Sequence, residues 1–286
     1  MLLREVDYAR PKSLEEAVQL LSVRDNARPL AGGQSLINVM KVRVASPDLV
    51  VDLAGIPELR EIRVTGGALE IGAMVTYAEL IDSEEARAAR PILAEAVQTI
   101  ADVQVRNRGT VGGNVCSNDP TNHLPPLAVA LGATMTIRSS EGERTVTADE
   151  FFEGVFLTAA APGEVLTRLS VPSRQLGEGD AFASLTVGKD GTGIVNVAAS
   201  VRLNGQIEQA RVAIGCVGAT PVRATRLEQA LAGANGDEGE VRAAAKGLGD
   251  ALDPPSDVHA SADYRRHLAE VLAVRATLQA IERATA

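Results

Sequence analysis

The stretch Arg28-Pro-Leu-Ala-Gly-Gly-Gln-Ser-Leu36 and its later echo Gly109-Thr-Val-Gly-Gly-Asn114 each set paired glycines between a short apolar run and a hydroxyl or amide side chain. Lacking a Cβ, adjacent glycines let the backbone turn sharply and bring its N–H groups up to a ligand. Successive N–H groups facing one concavity bind anions, and a pyrophosphate is a natural guest. Ser35 and Thr110 can each add a hydroxyl donor. One Gly-Gly pair alone reads as a turn; two pairs with matching neighbours point to binding. Neither stretch is a Walker-type phosphate loop, and no G-x-G-x-x-G follows a strand, which speaks against a Rossmann site. A dinucleotide would have to be held by two loops from well-separated parts of the chain.

Working outward, Ser13-Leu-Glu-Glu16 reads as a capping box, with Leu14, Ala17, Val18 and Leu21 on one helical face. Leu49–Asp52 reads as a buried strand, and residues 61–65 and 68–72 as a hairpin turned at Gly66-Gly67. Thr76–Glu79 and Thr147–Glu150 repeat the capping-box pattern. Pro91 opens a helix ending near Ile100, and Pro125-Pro126 open another. A second hairpin spans 134–138 and 143–147, and Val165–Val171 is a strand. The polar, glycine-containing 173–180 segment marks a domain boundary. Beyond it come strands 181–187, 194–203 and 206–215, the last two joined by Asn204-Gly205, a strong hairpin signal. Helices follow at about 222–232, 238–251 and from a Ser261 cap to the end, so a three-stranded antiparallel sheet covered by helices is expected.

Composition narrows the function. The 286 residues suggest two domains: 1–172, in parts of about 1–55 and 56–172, and 180–286. With 28 basic against 37 acidic residues the net charge is −9, which argues against a nucleic-acid binder. Aromatics are 2% with no Trp, too few for a base-stacking surface. Two cysteines, Cys116 and Cys216, cannot supply the four thiolates of an iron–sulfur cluster or a four-cysteine zinc site. Such sparse usage fits a reducing, cytoplasmic setting. The start MLLREVDYARPKS has no apolar core of a signal peptide, and no apolar run reaches the ~18 residues of a membrane span.

Taken together, ARPLAGGQSLINVMKVRVASPDLVVDL, TIADVQVRNRGTVGGNVCSNDP and LPPLAVALGA resemble the FAD-binding medium subunit of the molybdenum hydroxylase (xanthine dehydrogenase) family, above all its aerobic carbon monoxide dehydrogenase branch. The resemblance covers nearly the whole chain. It implies an α+β fold: a two-part FAD-binding domain of the PCMH/molybdenum hydroxylase type, then the family's C-terminal sheet-and-helix domain. It maps Ala31, Gly32, Gly33, Gln34, Ser35 and Leu36 onto one pyrophosphate loop, and Gly109, Thr110, Val111, Gly112, Gly113 and Asn114 onto the other. Ile100 and Ala101 match positions against the flavin ring or ribityl chain, and Leu166 an apolar contact near the ring. Asn118 and Asp119 match a turn approaching the nucleotide.

Two departures stand out. Relatives often carry Asp where His123 stands, near the ribose of the adenosine half; a histidine in a turn is ordinarily solvated. Relatives also often carry a Lys near Ser184 and an aromatic near Ile194, beside the exposed flavin edge. Here neither is in place, though Lys189 is close in sequence.

The resemblance implies an electron-transfer subunit of a heterotrimer, with FAD in this chain. The molybdenum cofactor would sit in a large subunit and two [2Fe–2S] clusters in a small one, the whole forming a dimer of heterotrimers. The missing cysteines fit that division. No catalytic triad is visible; His259 and His267 fall in the helical tail, where surface positions are the default, and Glu84-Glu85 look like helix surface. Two rival readings are a self-contained flavin oxidase or reductase, and a flavin-free scaffold. The scaffold has no use for two glycine loops.

Overall fold

The structure, a computed structural model, describes residues 3–188 and 192–285, so Lys189 lies outside the described residues. Its first layer is a small parallel sheet of β1 (Asp7–Ala9), β2 (Ala27–Leu30) and β3 (Leu49–Asp52), with β3 in the middle. Helix α1 (Leu14–Ser22) joins the first two strands and the short α2 (Leu36–Lys41) follows the second. Ser13 Oγ accepts the Glu16 N–H, capping α1, while the Glu16 carboxylate accepts from the N–H of Lys12 rather than of Ser13. The expected face of Leu14, Ala17, Val18 and Leu21 is buried against β3 residues Leu49 and Val51 in a core of its own.

The second layer is a five-stranded antiparallel sheet. Its hairpin β4 (Ile62–Thr65) and β5 (Ala68–Gly72) turns at Gly66 and Gly67, both at positive φ, where a side chain would be strained. Five helices follow: α3 (Tyr77–Asp82), α4 (Glu84–Ala89), α5 (Ile92–Gln98), α6 (Val103–Arg106) and α7 (Val111–Ser117). Next come α8 (Leu124–Ala130), the hairpin β6 (Thr134–Ser139) and β7 (Gly142–Thr147), and α9 (Ala148–Phe151). The hairpin β8 (Phe152–Gly154) and β9 (Leu157–Thr158) precedes β10 (Val165–Pro172), which inserts between β5 and β6. Thr76 and Glu79 make both halves of a capping box. Thr147 does not: its hydroxyl donates to the Glu150 carboxylate instead, so the two side chains satisfy each other and leave the backbone of a four-residue helix uncapped.

The third layer holds the expected strands as β11 (Glu178–Val187), β12 (Thr192–Asn204) and β13 (Gln206–Gly215), all antiparallel. The sheet is larger than the expected three strands by a fourth, two-residue strand, β14 (Val222–Arg223), which pairs with Ala213 and Ile214. That pairing takes two residues from the expected helix, so α10 (Thr225–Leu231) starts later. Helix α11 (Glu238–Ala245) stops short because Gly247 turns left-handed at φ 75°, and residues 248–251 form a separate 3₁₀ turn. The long α12 (Ala262–Thr285) lies across β11 and β12 and buries Leu268, Ala269, Leu272 and Ala276 there. Among the described residues no helix is long and apolar enough to cross a membrane.

The third layer is bolted to the second through Arg90, only 1% exposed at the end of α4. One guanidinium nitrogen donates to the Pro172 carbonyl; the other reaches Glu178 at 2.9 Å, Asp180 at 2.8 Å and Ser200 Oγ at 3.1 Å. Burial pushes the Asp180 carboxyl upward against the pull of Arg90. Removing one partner of a buried pair leaves a bare charge, which costs far more than the intact pair contributes. Arg90→Ala should therefore lower the unfolding free energy by about 3–5 kcal/mol in urea denaturation. Exposed pairs such as Arg242–Glu238 should contribute under about 1 kcal/mol by the same measurement.

Candidate functional site

The two glycine motifs meet in space. The first is the turn between β2 and α2; the second runs into α7, whose N-cap is Thr110. A Cβ at Gly32 would lie 2.0 Å from the Arg108 carbonyl oxygen, and one at Gly113 would touch Ala31 Cβ at 3.5 Å. Glycine at position 32 is what lets the loops close on each other.

Their donors are used differently. Among the described residues, no protein acceptor takes the N–H of Gly32, Gly33, Gln34 or Ser35, and the Ser35 hydroxyl makes no cap bond to α2. Gly33 sits at φ 74°, and the stretch Ala31–Gln34 is half-exposed with Ser35 exposed. Four consecutive N–H donors of the first motif are thus left without a protein acceptor among the described residues.

The second motif is no such arc, contrary to expectation. The N–H of Val111 donates to the Val75 carbonyl and that of Gly112 to the Ala73 carbonyl, both at 2.9 Å. The N–H of Gly113 goes to Thr110 Oγ and that of Asn114 to the Thr110 carbonyl. A Cβ at Gly112 would stand 2.5 Å from Ala73 Cβ. These glycines seat the first turn of α7 against the β5 end, and Thr110 serves that helix as its cap.

The remaining candidates divide by burial. Ile100 and Ala101 are half-exposed just before α6; Ala101 is left-handed at φ 43°. Arg106 donates to both their carbonyls at 2.8 and 2.9 Å, holding the strained peptide in place. Asp119 is half-exposed, with Oδ1 accepting from the Thr121 N–H and hydroxyl. Gly109, Thr110, Val111, Gly112, Asn114, Asn118, His123 and Leu166 are buried, and Leu36 and Gly113 half-buried. Leu166 packs in the second layer's core. Asn118, left-handed at φ 38°, donates to the Gly154 and Leu157 carbonyls and so braces the β8–β9 turn, where Val155 and Phe156 are exposed.

His123 is not a solvated turn residue. It is 2% exposed, its ring 5.2 Å from Phe182 of β11, and its Nε2 has no partner. Burial pushes its pKa down to about 4, against a bond to the Thr121 backbone that raises it. Ile194 is buried in the third layer's core, and Ser184 bonds to Asn196. His259 and His267 are exposed, as expected, though His259 precedes α12. Sequence reading missed Tyr77, whose buried hydroxyl accepts from Asn114 Nδ2 and whose pKa burial raises to about 12. It missed the Arg106 clamp too; both lie inside stretches already singled out, but their partners are set by the fold.

A cleft of about 400 Å³ between α1 and the five-stranded sheet is lined by Glu61, Arg63, Glu70, Arg138 and Arg168 among others. It holds no glycine-motif residue, and these arginines are ion-paired. The glycine loops are the better candidate.

Residues 4–174 match the family described as the FAD binding domain in molybdopterin dehydrogenase, and 181–280 the CO dehydrogenase flavoprotein C-terminal domain. The chain belongs to the FAD-binding medium subunits of the molybdenum hydroxylase (xanthine dehydrogenase) family. It is an oxidoreductase subunit. It is 39% identical over 282 residues to the carbon monoxide dehydrogenase medium chain of Afipia carboxidovorans, covering 97% of each. With the glyceraldehyde dehydrogenase medium chain of Sulfolobus acidocaldarius it shares 35% identity over 273 residues, 95% of this chain and 97% of the other. Its fold superposes on carbon monoxide dehydrogenase from Hydrogenophaga pseudoflava with a TM-score of 0.96 at 38% identity, covering 99% of each chain.

For this medium subunit, His123 sets an acid limit. Its folded pKa near 4 lies below the ordinary 6.5, so the unfolded chain binds the extra proton between those values. The stabilisation is complete above about pH 6.5 and is lost as pH falls towards 4, on the order of 3 kcal/mol in all. Melts from pH 7 to 4 should show a steeper loss for the native chain than for His123→Gln.

Proposed function

We propose that this chain is the FAD-carrying electron relay of a heterotrimeric molybdenum hydroxylase. In this reading it passes electrons from [2Fe–2S] clusters of a small partner subunit through FAD to an external acceptor, while a large subunit holds the molybdenum cofactor. The observation that carries it is the arc of unpaired N–H groups from Gly32 to Ser35, closed against the second motif by a backbone contact only glycine permits. Such an arc is the right chemistry for a pyrophosphate.

Bound FAD would supply one- and two-electron redox chemistry. The chain's own residues have distinct tasks. Gly32, Gly33, Gln34 and Ser35, with Ala31 and Leu36 flanking, would hold the phosphates. Ile100 and Ala101 would lie along the ring or ribityl chain, their carbonyls turned away by Arg106. Gly109, Thr110, Val111, Gly112, Gly113 and Asn114 would set the floor. Leu166, Asn118, Asp119 and His123 would shape the surroundings. The division into 1–172 and 180–286 would separate this nucleotide module from the layer that packs on it.

A partnership with large and small chains, as a dimer of heterotrimers, fits the medium-chain relatives. Those relatives serve enzymes named for glyceraldehyde and carbon monoxide, so the substrate is chosen in another chain. Cys116 and Cys216 are both free, in keeping with a reducing cytoplasm.

The first test is a visible spectrum of the natively purified protein with its co-purifying chains identified by mass. Bands near ~450 nm released as free FAD, with a large and a small partner, are expected. A colourless protein with those partners would leave the scaffold, and flavin without partners the self-contained oxidase. Ser35→Ala removes a donor to a charged phosphate, so FAD Kd should rise about 10–100-fold by fluorescence titration.

A further inference from the structure

The segment between α7 and α8 is held by the other domain. The Pro120 carbonyl accepts from the Cys216 N–H at 3.1 Å. The next two carbonyls, of Thr121 and Asn122, accept from Asn196 Nδ2 at 3.2 and 3.3 Å. Three successive carbonyls of the nucleotide module are therefore met by β12 and the residue just past β13.

Asn196 is 0% exposed, and its orientation is fixed from behind. Ser184, its register partner on β11, donates its hydroxyl to Asn196 Oδ1 at 2.5 Å. With the oxygen so engaged, the amide nitrogen must face the turn. The tie continues on the far side. Asn122 Nδ2 donates to the carbonyl of Asn114, the last residue of the second glycine motif, at 3.0 Å. Asn114 in turn bonds Tyr77, whose N–H donates to the Gly109 carbonyl, the first residue of that motif.

We propose that Asn196, aligned by Ser184, is a positioning residue for the flavin nucleotide. The C-terminal domain touches no glycine loop through it. Instead it sets the 119–122 turn and, through Asn122, the register of α7 under the second motif. This rests on the flavin reading above and gives the C-terminal domain a task in cofactor retention. It also accounts for a serine at position 184: what that position needs here is a hydroxyl short enough to align the amide across one strand pair.

The test uses the full-length chain, stripped of flavin and titrated with FAD, with affinity read from flavin fluorescence and site geometry from the visible circular dichroism of the bound flavin. Asn196→Ala should weaken FAD at least tenfold and alter the visible dichroism. Because a fully buried asparagine can cost stability, Ser184→Ala is the milder probe: it should weaken FAD several-fold, and Ser184→Thr, which keeps the hydroxyl, should restore it. Arg283→Ala is the control. Arg283 also bridges the two domains by its pair with Glu95, while bonding the Asp180 carbonyl of its own domain, away from the turn. If it weakens FAD as much as Ser184→Ala does at equal loss of melting temperature, the effect is general loosening and the proposal is overturned. FAD affinity and dichroism unchanged in Ser184→Ala and in any folded Asn196→Ala would overturn it as well. A native chain that takes up no FAD would instead sink the flavin reading itself, and this proposal with it.

Discussion

Everything at the candidate site depends on backbone meeting backbone without side chains between. Gly32 lies on the Arg108–Gly109 peptide, and Gly112 on Ala73. Neither approach tolerates a methyl group, since non-bonded carbons and oxygens rest near 3.5 Å. Because the second motif is seated so tightly, its N–H groups are drawn into the protein, and the first motif is left as the donor surface. One loop keeps its donors free and the other spends them on the fold. The pair looks symmetric in sequence and is asymmetric in chemistry.

That asymmetry shows where sequence reading works. Local rules were legible: the Thr76 capping box, the Gly66-Gly67 and Asn204-Gly205 hairpins and the buried face of α1 all appear as read. Each is decided by residues within a few positions of one another. The α+β fold and family were legible because two motifs in fixed order carry more information than either alone. What failed was decided at a distance. Whether the N–H of Gly112 is free depends on Ala73, and whether His123 is wet depends on Phe182. The strand at Val222–Arg223 exists only because β13 offers an edge, and two residues carry no periodicity.

Burial explains the division among the candidate residues. Of the candidates, the first loop, Ile100, Ala101, Gly113 and Asp119 keep some exposed surface. The buried members are tied into the fold: Asn118 braces a neighbouring turn, Asn114 bonds Tyr77, and Leu166 fills core. Exposed and framework positions are interleaved along the same few segments. A substitution at a buried member would therefore disturb the exposed positions through the fold.

The Arg90 cluster has a consequence for how such chains can be recombined. Its arginine lies before the 173–180 linker and its carboxylates, Glu178 and Asp180, at the far end of it. A crossover between two relatives at the linker looks ideal from the domain map, yet it parts a cation from its anions. A chimera would be sound only when both parents bring the same charge arrangement, or when residue 90 travels with residues 178 and 180. The natural seam in the sequence is thus not a seam in the electrostatics.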